Sequence, residues 1–444
     1  MTRVGLVPIV RSLFRGAQMG LWERSQRLLA EAASRLGFSL AFASPPVAEI
    51  HEARAQAEAA ARADLDMLLV QHVTFATGDL LAPFLELPLP LGLWALPEAT
   101  ASGPLPQNAL CGLNMSMSLP VRRSVPVKWF YGDPADEAFQ RALEATVRAV
   151  AGRRAVMRGR LLWIGGTAPG FYRLETKPDL PLQIDEAPLE RFFEALDGVT
   201  PSEVDARLKD VDEVTTFPRS DLRASVRVEL ALERLSHGYD GIALRCWPEL
   251  PERAGAMACA AFARLADRGL PLACEGDIGG LASMLAVAAV TRGPAVMLDL
   301  SHAREDALLF WHCGNAPRAW AAGETRLTPH FNRQIPAVRD MRLKPGPVSG
   351  LRLLEDRTAA VYSGHAMPLS GGYDGVSGWI GALRWARNPI TPHGYVATVL
   401  NHRLPHHFIW GLGDEHSAML ECCDWLGYRV LPADPEPRVV AWPA

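Results

Sequence analysis

The stretch from Ala273 to Ser301, ACEGDIGGLASMLAVAAVTRGPAVMLDLS, constrains this chain more than any other. Leu270-Pro271-Leu272-Ala273-Cys274 is a short apolar run that ends at Glu275, and Ala295-Val296-Met297-Leu298 is a second that ends at Asp299. Between them, Gly279 to Thr291 is apolar and rich in Ala without strict alternation, which predicts a helix stopped by Gly293-Pro294. Strand, helix, strand is the repeating unit of a parallel sheet. Consecutive parallel strands lie about 4.8 Å apart. Glu275 and Asp299 are therefore expected together at the carboxyl edge of one sheet, where open α/β sheets bind ligands. Two close carboxylates share a proton or hold a cation.

The remaining composition narrows the setting. A length of 444 residues allows about three domains, and 49% apolar content gives each a core. The net charge of -4 gives no general attraction to nucleic acid or anionic lipid. Seven cysteines occur without a CxxC spacing, as expected in a reducing compartment rather than in a disulfide scaffold. The N-terminal run is too short and too interrupted by Arg for a signal peptide. The longest apolar stretch, Leu80 to Leu96, is broken by Pro83, Pro88 and Pro90, which argues against a membrane span. A soluble cytoplasmic protein is expected, so the sequon at Asn114 carries no weight.

The first third alternates strands (Val4 to Val10, Phe38 to Ala43, Met67 to Val70, Leu91 to Ala95) with helices (Gln18 to Leu36, closed by Gly37, then Glu49 to Ala63 and Ala135 to Ala151). A second run follows: Arg160 to Ile164, the helix Arg219 to Ser236, Gly241 to Leu244, the helix Ala254 to Ala266, and the stretch described first. Beyond Asp299, Pro, Gly and Trp become frequent and short apolar runs recur (Val348 to Leu354, Thr358 to Tyr362). The expected architecture is α/β: two consecutive doubly wound parallel-sheet domains (1–155 and 156–300), then a β-rich, barrel-like domain (301–444). Nine of the twelve histidines fall in that last part, which points to metal or acid/base chemistry at the junction of the second and third domains.

The candidates for chemistry start with Glu275 and Asp299. They read as a divalent-metal site with general acid/base capacity, or as exposed strand-end charges, with Asp277 as a helix N-cap. In Leu404-Pro405-His406-His407-Phe408, neighbouring side chains on a strand point to opposite faces, so one histidine is expected at the site and the other elsewhere. His312, beside Cys313-Gly314, reads as a ligand, a substrate contact or a core histidine bonded to backbone. Arg245 and Trp247 end a strand expected beside Glu275. Arg245 there either holds a polar substrate group or forms a surface ion pair. Gly165-Gly166 and Gly411-x-Gly413 are only fragments of phosphate-binding loops.

On these residues the chain resembles the L-fucose isomerase and L-arabinose isomerase superfamily. Glu275, Asp277 and Asp299 keep that family's Glu-x-Asp, helix, Asp order, and the tail from Pro405 to Pro432 is similar to its terminal unit. The resemblance implies metal ligation by Glu275, Asp299 and His407, with catalysis by the two carboxylates. His312 falls where arabinose isomerases have a further His ligand. Arg11 and Arg15 match the family's substrate-facing N-terminal segment, and Asp277 and His302 would support the site from behind. The similarity is thin from Pro169 to Pro218. The chain is also shorter than a fucose isomerase, and a sugar-contacting Gln is replaced near Arg245-Cys246.

The implied activity is an aldose–ketose isomerase acting on a pentose or deoxyhexose through an enediolate. Two carboxylates and an imidazole suit Mn2+ best, with Mg2+ or Co2+ as alternatives. Arg11, Arg15, Arg245, Trp247, His312 and His406 are the substrate-binding candidates. A homo-oligomer with sites near subunit interfaces is expected. A metal-dependent lyase or epimerase of a modified sugar or sugar acid is the main alternative, and a non-catalytic sugar binder is the third.

Overall fold

The computed structural model describes residues 1–119, 125–368 and 371–439. They form two compact units, one of Met1–Arg153 with Glu421–Gly427 and the other of Arg154–Leu420 with the residues from Tyr428 onward.

The first unit is a five-stranded parallel sheet. Its strands are Thr2–Ile9, Phe38–Ala43, Met67–His72, Leu91–Ala95 and Val127–Tyr131, and their spatial order is second, first, third, fourth, fifth. This is a doubly wound arrangement, whose strand order reverses between the first and third strands. The helix Leu21–Leu36 buries Leu29, Ala32, Ala33 and Leu36 on one side and is closed by the left-handed Gly37. It starts three residues later than its periodicity predicts. Left-handed Gly20 precedes it, and Arg15–Gln18 forms a separate 3-10 turn. Arg11 and Arg15 follow the carboxyl end of the first strand, where the Arg11 N–H donates to Thr74 Oγ1 at 2.8 Å. Both side chains are exposed.

The second unit joins a small parallel sheet to a closed barrel. The sheet runs Leu272–Ala273, Gly241–Leu244, Arg160–Ile164, Gln183–Ala187. The helix predicted from Ala254 to Ala266 begins only at Cys259 (Cys259–Asp267), because Ala254 ends a separate short helix, Glu249–Ala254, at left-handed Gly255. The barrel consists of six antiparallel strands, in circular order Val296–Ala303, Ala307–His312, Val376–Trp385, Thr358–Met367, Gly346–Leu353 and His407–Leu412. Closure removes the exposed edges that an open antiparallel sheet would carry. Its interior is aromatic: Tyr362 and Phe310 pack edge-on against Trp410 with ring centres 4.6 and 5.0 Å apart. The α/β-plus-barrel class read from the sequence is the class observed.

One expectation is corrected. The strands ending at Glu275 and Asp299 are not neighbours in one sheet. Leu272–Ala273 is an edge strand of the small sheet, paired with Gly241–Leu244, whereas Val296–Ala303 pairs antiparallel with two barrel strands. The helix Ile278–Thr291 crosses from one sheet to the other. It is buried almost all round, as its uniformly apolar sequence requires.

Buried ion pairs tie the barrel's flanking strands to the helices. Arg339, fully buried, donates to Glu213 at 2.6 Å and to Asp267 at 2.8 Å. Burial pushes the Glu213 carboxyl up, but Arg339, Arg318 and Arg264 hold it below its ordinary range.

Candidate active site

The polypeptide after Ala273 turns sharply. Cys274–Gly276 is a 3-10 turn in which Glu275 has φ +59° and Gly276 φ +72°. A left-handed conformation is uncommon for a residue with a side chain and costs of order 1–3 kcal/mol. Gly276 cannot carry one at all, since a Cβ there would lie 1.9 Å from the Gly166 carbonyl oxygen. Gly165-Gly166, no more than a phosphate-loop fragment in sequence, supplies this close approach. The Trp163 indole N–H donates to the Gly276 carbonyl at 2.8 Å and the Glu275 N–H to Cys246 Sγ at 3.3 Å. The Glu275 carboxylate is thereby aimed toward the barrel.

Barrel register supplies the opposing half. On the ladder between Val296–Ala303 and His407–Leu412, Asp299 lies directly opposite His407. On the other side Asp299 faces Trp311, the residue before His312. His407 Nε2 is 3.5 Å from Glu275 Oε2 and 3.8 Å from Asp299 Oδ1. Glu275 and Asp299 thus converge on one imidazole, although their strands belong to different sheets.

The orientation of His407 is fixed from behind. Its Nδ1–H donates to Asp277 Oδ2 at 2.8 Å, which leaves the Nε2 lone pair facing the carboxylates. Asp277 is fully buried and takes three further hydrogen bonds: 2.7 and 2.8 Å from the Arg352 guanidinium and 2.7 Å from the Gly280 N–H at the helix N-terminus. Burial alone would raise its pKa, but Arg352 and His407 hold it well below the usual carboxylate range. Asp277 is both the cap expected of it and the support of His407. Arg352 is the residue sequence reading missed. The signal was present: an arginine between Leu351 and Leu353 on an apolar strand must find a buried partner.

His406 corrects a second expectation. Both histidines of the pair reach Glu275, because His406 precedes the strand and escapes its alternation. Its Nε2 is 3.1 Å from Glu275 Oε2, and its side chain is 41% exposed where that of His407 is buried. Burial works against its charge, but Glu275 and Asp299 raise its pKa above the ordinary histidine value. Glu275 is lowered in turn: His406, His407 and His312 outweigh the desolvation that would raise it.

His312 is buried, and its ring centre is 5.5 Å from that of His407. Its Nδ1 accepts the Cys313 N–H at 2.8 Å, a pattern that assigns the proton of the neutral ring to Nε2. Arg245 is ion-paired with Glu249 at 2.8 Å. Trp247 packs edge-on against Phe171, with centres 6.2 Å apart, and Phe171 packs 5.4 Å from the His406 ring. His302 is not brought to the carboxylates. A bulge between Leu300 and His302 breaks the alternation, and the exposed ring packs edge-on against Trp379.

In each of two groups, Glu275/His406/His407 and Asp299/His312/His407, the potential ligand atoms all lie within 4.8 Å of one another. They share His407, whose buried Nε2 has no hydrogen-bond partner among the described residues, and Asp299 Oδ1 is likewise buried without one. An orphaned imidazole lone pair facing an orphaned carboxylate oxygen is costly unless something bridges them. A divalent cation fits that donor set: carboxylate oxygens and one imidazole suit Mn2+ and its neighbours.

No protein-family model matches the chain. It is similar to curated proteins named sulfoquinovose isomerase. The protein from Alkalicoccus urumqiensis is 29% identical over 347 residues, covering 71% of this chain and 76% of that protein. The protein from Priestia megaterium is 27% identical over 305 residues, covering 65% and 68% respectively. Among solved structures, a solute-binding protein of an ABC transporter from Agrobacterium vitis, bound with alpha-D-tagatopyranose, spans 66% of this chain and 90% of its own. At 12% identity and a TM-score of 0.19, that likeness is too slight to bear on fold or function. Among the described residues no helix is long and apolar enough to cross a membrane. By its curated relatives the chain is an enzyme, an intramolecular oxidoreductase that interconverts an aldose sugar and its ketose.

Proposed function

We propose that this chain is a divalent-metal-dependent isomerase converting a six-carbon aldose with a sulfonate at C6, as in sulfoquinovose, to the corresponding ketose. The substrate class comes from the relatives' name and is narrower than the pentose or deoxyhexose expected from the sequence. The metal dependence rests on one observation: the unpartnered His407 Nε2 opposite the unpartnered Asp299 Oδ1.

Glu275, Asp299 and His407 would hold the cation, with Mn2+ the best match and Mg2+ or Co2+ as alternatives. Bound there, it would polarise the sugar carbonyl and stabilise enediolate charge as a Lewis acid. Of Glu275 and Asp299, one carries the proton between C1 and C2 and the other between O1 and O2. His312 Nε2–H is a donor to a sugar oxygen rather than a ligand. His406, half-exposed and hydrogen-bonded to Glu275, connects that carboxylate to solvent. Trp247 and Phe171 form an apolar wall, and Asp277 holds His407 in register. Arg11 and Arg15 serve the substrate from a neighbouring subunit of a homo-oligomer.

The test is proton exchange followed by NMR in D2O with Mn2+ and sulfoquinovose, glucose and 6-deoxyglucose in parallel. The reading expects metal-dependent exchange at C2 together with ketose formation, lost in Glu275→Gln. Exchange without ketose would mean an epimerase or lyase. Turnover that survives complete removal of metal would sink the metal assignment.

A further inference from the structure

The segment after the buried His330 is pinned to both walls of the site. His330 Nδ1 accepts the backbone N–H groups of Asn332 at 3.3 Å and Arg333 at 3.4 Å, which closes a tight turn. Phe331 packs edge-on against Trp311, with centres 5.2 Å apart, on the side of His312. Arg333 lies over the Trp247 ring, its guanidinium carbon 5.1 Å from the ring centre, on the side of His406. His406, Phe171, Trp247 and Arg333 thus follow one another at 5.4, 6.2 and 5.1 Å.

The two arginines of this wall differ in one respect. Arg245 is neutralised by Glu249. Arg333 is exposed and, among the described residues, forms no ion pair, and its guanidinium lies over the Trp247 ring. A guanidinium held beside an indole by a cation–π contact keeps its N–H donors free, and their planar fork matches a tetrahedral oxyanion. An open-chain hexose with C1 and C2 at the carboxylates would lie along the aromatic wall, with its C6 substituent on the Arg333 side.

We propose that Arg333 is the specificity residue that reads the anionic C6 substituent of the sugar, donating hydrogen bonds to a sulfonate from its position over Trp247. This rests on the isomerase reading above and adds to it the residue that separates a sulfonated from an uncharged hexose.

The experiment compares wild type, Arg333→Ala and Arg333→Lys on sulfoquinovose and on 6-deoxyglucose, with saturating Mn2+. A charge-assisted contact of this kind is worth about 10- to 100-fold. Arg333→Ala is therefore expected to lower the ratio of kcat/KM for sulfoquinovose over 6-deoxyglucose by that factor. KM should carry the loss, and Lys should restore part of it. The wild-type KM for sulfoquinovose should also rise with ionic strength. Equal losses on both sugars, or none, would overturn the assignment while leaving the isomerase standing. Wild type that turns over 6-deoxyglucose but not sulfoquinovose would also refute it. No turnover of either sugar by wild type would bring down the isomerase reading, and the assignment with it.

Discussion

Replacing Asp277 by Asn changes one atom and sets two functions against each other. Oδ1 accepts from the Gly280 N–H and Arg352, and Oδ2 from Arg352 and His407. Every partner is a donor, so the amide NH2 must face two donors whichever way it turns. With the NH2 on the Oδ1 side, the helix cap and half of the Arg352 fork are lost. With it on the other side, the His407 contact goes, unless that ring moves its proton to Nε2 and surrenders its free lone pair. Arg352, only 3% exposed, is left without a full countercharge in both cases. Breaking one partner of a buried pair costs about 3–5 kcal/mol. Loss of the carboxylate behind a ligating imidazole typically costs 10- to 100-fold in metal affinity. Urea unfolding of the metal-free protein and calorimetric titration with Mn2+ should show both effects. If D277N matched wild type within about 1 kcal/mol in stability and twofold in affinity, Asp277 would not be the support described here.

Other substitutions probe the same construction. His407→Asn should abolish Mn2+ binding, whereas His406→Asn should retain bound metal and lose turnover, as read by metal analysis of the dialysed proteins beside the exchange assay. Gly276→Ala forces a Cβ against the Gly166 carbonyl at a left-handed backbone position, and should lower stability by at least about 1–3 kcal/mol in thermal melts. An unchanged Tm would refute the close approach. Glu213→Gln exposes Arg339 to the same penalty as above, about 3–5 kcal/mol at neutral pH. Because the folded Glu213 carboxyl is depressed, its stabilising contribution is present above its ordinary value of 4.5 and is lost as pH falls through the lower folded-state value. The gap between wild type and E213Q should therefore close on acidification, and a widening gap would contradict the sign.

Much of the site was legible because its residues sit at ends of periodic segments. Apolar runs delivered Glu275 and Asp299, and the Asp277 cap followed from the helix behind it. The sheet membership was not legible. Two apolar runs flanking a helix look the same whether the second strand returns to the first sheet or enters another. Only pairing with Ala307–His312 and His407–Leu412, both distant in sequence, decides it. The expectation that only one of His406 and His407 faces the site failed because alternation applies inside a strand, and His406 lies just outside one. Arg333 was invisible for a different reason: an exposed arginine in a turn has no periodicity, and its meaning comes from Trp247, 86 residues earlier.

Three of the four hydrogen bonds of Asp277 join segments that meet late. Arg352 is 75 residues downstream and His407 130, so neither contact exists until the barrel has closed. Contacts of such separation are made slowly and only after loop entropy has been overcome. Cation affinity is then a property of the finished barrel rather than of any fragment, and a nascent chain that has not yet delivered His407 has no site to load. By mass action, metal at a hundred times its Kd would add about 2.7 kcal/mol to the closed state alone. The cation would thus act as a latch, closing last and holding what folding has already assembled.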